Sequence, residues 1–99
     1  MNMNALMQQA QKMQREITKK KEEIDNTNFE GKSEWVTAII NGKKEVQKIT
    51  ITYEGIIEND DKEILEDMIK IAINKACEKV DKEIETKMGA YGSGLGGLF

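Results

Sequence analysis

The chain has 99 residues, a net charge of −3, 38% hydrophobic and 5% aromatic residues, enough for one small domain with a modest core. It contains no histidine and one cysteine, which excludes the commonest general base, a disulfide framework and a thiolate zinc cluster. No stretch approaches the ~20 apolar residues of a membrane span, and the start lacks the regions of a secretory signal, so a reducing cytosol is expected.

The first predicted element is a helix from about Asn2 or Asn4 to about Asp25. Met3, Leu6, Ala10, Met13, Ile17 and Ile24 recur at spacings of three and four, with Lys20 interrupting the series. That is a heptad seam, by which a helix lays an apolar edge against a partner. Half a turn away, Gln8, Lys12, Arg15 and Lys19 share one solvent-facing stripe. Residues 1–21 hold five cations (Lys12, Arg15, Lys19, Lys20, Lys21) against Glu16 alone, so the remainder of a −3 chain is strongly acidic. A basic helix on an acidic body suits contact with something anionic.

Asp25-Asn26-Thr27-Asn28 ends this helix, because such side chains compete for backbone hydrogen bonds. Phe29-Glu30-Gly31 reads as a short strand. From Glu34 the period becomes two, with Trp35, Thr37 and Ile39 on one face and Val36, Ala38 and Ile40 on the other. Asn41-Gly42 predicts a type I′ turn, and Val46 to Tyr53 the return strand, with Ile49, Ile51 and Tyr53 on a common face.

Asp60 as N-cap with Glu63 three residues on predicts a capping box opening the second long helix. Its apolar face runs Leu65, Met68, Ile69, Ala72, Ala76, Val80, Ile84, flanked by Lys75, Lys79 and Lys82. Cys77, on the edge of that face, fits a small packed hydrophobe better than a nucleophile. Residues 1–88 are thus expected to form one domain. Residues 89–99, rich in glycine and without period, form a tail expected to be mobile, although Leu95, Leu98 and Phe99 are unusual in a purely solubilising segment. The small core and the exposed seams together predict a homodimer.

Several runs resemble the YbaB/EbfC family of bacterial nucleoid-associated proteins. These are Asn4-Ala-Leu-Met-Gln-Gln-Ala-Gln-Lys-Met-Gln14, the turn Ile40-Asn41-Gly42, Asp60-Asp61-Lys62-Glu63-Ile64-Leu65-Glu66-Asp67, Ile73-Asn74-Lys75-Ala76, and the ending Gly94-Leu95-Gly96-Gly97-Leu98-Phe99. The resemblance implies an α+β fold of helix, three-stranded antiparallel sheet and helix, built into a tweezer-like homodimer. It further implies binding to double-stranded DNA in the nucleoid and effects on nucleoid organisation and gene expression. Gly31-Lys32-Ser33-Glu34-Trp35 departs from the glycine-rich turn that members often carry before the second strand.

For DNA contact the candidates are Gln8, Lys12, Arg15, Lys19, Lys75, Lys79 and Lys82, acting on phosphates without reading sequence. Each set also has a plainer reading, as a solvated helix face for the first four and as mixed local pairing with Glu78 for the lysines of the second helix. Met3, Leu6, Met13, Ile17, Ile39, Ile49 and Ile51 are the candidate dimer or packing residues. There is no nucleophile elbow, P-loop or EF-hand spacing, so no catalytic residue, metal, cofactor or small-molecule substrate is expected. A rival reading is a dimeric scaffold that grips a protein with its helical arms. Membrane-surface binding is weaker, since the first helix has no Trp or Phe anchor.

Overall fold

The computed structural model describes residues 2–89. In chain order these form α1 (Met3–Asp25), β1 (Phe29–Lys32), β2 (Val36–Ile40), β3 (Val46–Ile51), a 3-10 turn (Asn59–Asp61) and α2 (Lys62–Met88). The strands make one antiparallel sheet in the order β1-β2-β3, so the architecture is the predicted α+β. Of the expected tail, residues 89–99, Gly89 caps α2 and residues 90–99 lie outside the described residues.

Both ends of α1 are fixed by side chains. The Asn2 carboxamide oxygen accepts from the Asn4 backbone N–H at 3.0 Å. At the other end, Asn26 Nδ2 donates to the Glu22 carbonyl at 2.9 Å and Thr27 Oγ1 to the Glu23 carbonyl at 2.6 Å. These polar residues stop the helix by satisfying carbonyls that would otherwise be orphaned.

The hairpin forms where expected, but its turn is not type I′. Lys44 N–H donates to the Asn41 carbonyl at 2.9 Å, Asn41 N–H donates to the Glu45 carbonyl at 3.0 Å, and Lys44 takes a left-handed φ of 63°. This is a three-residue loop ending in a left-handed residue. The Asn41 side-chain oxygen, which accepts from the Lys43 and Glu45 N–H groups, stabilises it. Gly42 is needed for a different reason. A Cβ there would lie 2.0 Å from the Ile24 carbonyl oxygen, because the loop packs directly on the end of α1.

The start of α2 also differs from expectation. Asp60 is not the N-cap; a 3-10 turn precedes the helix, and α2 begins at Lys62. Asp61 Oδ2 accepts from the Glu58 N–H at 3.0 Å, while the Asp61 N–H donates to the Glu58 carbonyl at 3.0 Å. The reciprocal bonding therefore closes between Glu58 and Asp61, and the α-helix starts one residue later than a cap at Asp60 would place it.

The core lies between α2 and the first two strands. Ala72, Ala76, Val80 and Met88 of α2 are buried, as are Phe29, Val36, Ala38 and Ile40 of the sheet. Small residues let the helix come close: a Cβ on Gly31 would stand 2.0 Å from the Ala72 carbonyl oxygen. Ile17 and Ile24 of α1 join this core, and Cys77 is half-buried against it. Residues 3–16 of α1, by contrast, are all exposed.

The molecule measures 71 × 20 × 16 Å, with a radius of gyration of 19.2 Å. A compact domain of this length has a radius nearer about 13 Å. The excess reflects two long helices that overlap over only part of their length, with the first half of α1 projecting as an arm.

Candidate nucleic-acid interface

The α1 arm carries two opposed faces. Gln8, Lys12, Arg15 and Lys19 are all exposed and share one stripe. Among the described residues, none of Lys12, Arg15 and Lys19 makes an ion pair; the salt bridges there include Lys21–Asp25, Lys32–Glu30, Lys44–Asp81 and Lys70–Asp67. Three cations held at helical spacing with no carboxylate partner are free to meet an outside anion.

On α2, Lys75, Lys79 and Lys82 are exposed and line one shallow depression, with Glu78 at its edge. The expected local pairing of Glu78 with Lys82 is not made, since no ion pair joins them. Lys79 and Lys82 also border a groove with Phe29, Glu83 and Thr86, beside the β1 edge of the sheet. The two basic sets thus sit on separate helices, each grouped as its spacing dictates.

Sequence reasoning passed over the lysines of the hairpin loop. Lys43 and Lys44 line a cleft with Lys21, Asp25, Gly42, Asp81 and Ile84, where the loop, the end of α1 and α2 meet. Lys44 Nζ is 2.7 Å from Asp81 Oδ1 and Lys21 Nζ is 2.8 Å from Asp25 Oδ2. The Lys44–Asp81 pair ties the loop to α2, while the Lys21–Asp25 pair lies within the last turn of α1. The Lys43-Lys44 pair beside the turn was the available signal, but which of the two faces α2 depends on the loop geometry.

The candidate packing residues divide into three groups. Ile17 is buried in the core, whereas Met3, Leu6 and Met13 on the arm are 73%, 41% and 53% exposed in the single chain. Ile39 is half-buried on the outer face of the sheet, paired with Lys48. Ile49 and Ile51 pair with Ala38 and Val36, so all four share the face that α2 covers. The helix reaches only the first two strands: Val36 is fully buried, yet its partner Ile51 is 48% exposed. An apolar strip on β3 is left uncovered.

Among the described residues no group of His, Cys, Asp or Glu is arranged to hold a metal ion. No helix of the described residues is long and apolar enough to cross a membrane.

The profile of the YbaB/EbfC DNA-binding family matches residues 1–95 of the chain. A nucleoid-associated protein of Mycoplasmopsis pulmonis is 43% identical, the match covering 89% of this chain and 90% of that protein. One from Chloroflexus aurantiacus is 43% identical over 100% of both chains. Another, from Rickettsia prowazekii, is 38% identical over 95% of this chain and 89% of its own length. With this match along nearly its whole length, and with the helix–sheet–helix fold that the runs in its sequence imply, the chain belongs to the YbaB/EbfC DNA-binding family.

Proposed function

We propose that this protein is a non-enzymatic, nucleoid-associated homodimer that binds double-stranded DNA with low sequence specificity and so affects nucleoid organisation and gene expression. The observation that carries the reading is the set of unpaired cations Lys12, Arg15 and Lys19 on a projecting helical arm. The names of the relatives and of the family support DNA as the ligand. Lys and Arg neutralise phosphates and Gln8 donates to a backbone oxygen, contacts that position a protein without reading bases. Lys75, Lys79 and Lys82 form the second contact region.

Dimerisation rests on β3. This strand is an outer edge of the sheet, and Val46, Ile49 and Ile51 are 48%, 37% and 48% exposed. An apolar edge strand of this kind is a template for pairing. A second copy would cover it and give each protomer the core it lacks alone, and the arms would project from the joined bodies as tweezers.

A mobility-shift titration with unrelated duplexes of equal length tests the binding. Similar affinity for every duplex is the expected result; a strong preference for one would contradict low specificity. The rival reading, a scaffold gripping a protein, draws on the uncovered apolar side of the same arm. Absence of any shift at low salt would favour it.

A further inference from the structure

The α1 seam has one continuous face and two fates. At Ile17 and Ile24 it is buried in the core, where α2 ends at the buried Met88. Beyond that support the same face runs on uncovered through Met13, Ala10, Leu6 and Met3. From Met3 to Met13 this is about one and a half heptads, roughly 15 Å of helix at 1.5 Å per residue. We propose that this exposed seam pairs antiparallel with the α1 seam of a second copy belonging to a neighbouring dimer, so that dimers on DNA bind cooperatively. The proposal rests on the DNA-binding reading above and adds an interface that reading does not contain.

The flanks of the seam identify the occupant. In a coiled coil the positions beside the seam select the partner by charge. Here they are Met7 and Gln14 on one side and Gln9 and Glu16 on the other, almost without charge. A partner of opposite charge has nothing to recognise there, whereas a second copy meets no like-charge repulsion. In antiparallel register Met3 faces Met13 and Leu6 faces the small Ala10, which interleaves large and small side chains using only exposed positions. The basic stripe lies on the opposite side of the helix, so pairing leaves Lys12, Arg15 and Lys19 available to phosphates.

So short a pair is weak by itself, because helical associations of this length are marginal in water. Two dimers held side by side on one duplex face each other at an effective concentration in the millimolar range, which converts a weak contact into a cooperative one. Pairing is therefore expected to be faint in free solution and pronounced on long DNA.

The test compares the intact protein with the double variant Leu6→Gln/Met13→Gln, which leaves every charge unchanged. Affinity for a short duplex that admits one dimer should be the same for both. On a long duplex the intact protein should give a steep isotherm, and the variant one with a Hill coefficient of about 1. Equal steepness in both overturns the proposal, as does a non-cooperative isotherm for the intact protein. A variant that keeps the steepness but melts at a lower temperature would show that the seam packs within its own protomer, again overturning it. Failure of the intact protein to bind even the short duplex would count against the DNA-binding reading alone. Sedimentation velocity at high protein concentration without DNA then decides the pairing: association beyond the dimer that the variant loses supports it, and identical behaviour of the two overturns it.

Discussion

Gly31 and Gly42 each stand where a side chain has no room. The atom that a Cβ would strike is a backbone carbonyl oxygen at 2.0 Å in both cases, Ala72 for Gly31 and Ile24 for Gly42. Backbone in a helix cannot swing aside as a side-chain end can. Gly31→Ala and Gly42→Ala are each expected to lower stability by about 1–3 kcal/mol, as over-packed sites do, and urea unfolding measures it. Ile24→Ala should cost about 2–5 kcal/mol, since the residue is 1% exposed and belongs to the main core cluster. Sequence reading found Gly42 but for the wrong reason. Asn41-Gly42 marks a hairpin by local backbone preference, while the need for glycine arises from packing on α1, a contact between segments far apart in sequence. Lys44, with its left-handed φ, carried no such mark.

At the scale of elements, the periodic helices were the most legible part. A repeat of three and four residues fixes which side chains share a face, so the seam and the stripe of α1 followed directly from spacing. The start of α2 was less legible: the spacing of Asp60 and Glu63 pointed to a cap at Asp60, whereas the Asp61 carboxylate bonds back to the Glu58 N–H around a 3-10 turn. Asp61→Ala should therefore lower the melting temperature, with a loss of about 1 kcal/mol, whereas Asp60→Ala should change little. The extent of cover was not legible at all. Alternation gave the faces of β2 and β3, but only the path of α2 across the sheet shows that it shields Val36 and Ala38 and leaves Ile49 and Ile51 open. Replacing Lys12, Arg15 and Lys19 together by alanine should leave the melting transition within about 0.5 kcal/mol of the original, because all three are exposed and unpaired.

For the whole molecule, a single chain leaves an apolar sheet edge and a long apolar seam in water. Light scattering should find a species of twice the 11.2 kDa chain mass at micromolar concentration, and a folded species at the chain mass would contradict the homodimer. Ile49→Lys/Ile51→Lys should shift that mass toward a monomer, since it puts charge on the uncovered strip of β3. With a net charge of −3, the proposed DNA contact rests on the arm's local positive field. A dimer offering Lys12, Arg15 and Lys19 twice makes on the order of six phosphate contacts, which corresponds to a slope of log affinity against log salt of about −5. The most direct test is that slope, measured on a short duplex for the intact protein and for Lys12→Ala/Arg15→Ala/Lys19→Ala. A steep slope for the intact protein, with weaker binding and a markedly flatter slope for the variant, is the predicted result. Equal affinity and equal slope for the two proteins would contradict it and move the contact to Lys75, Lys79 and Lys82.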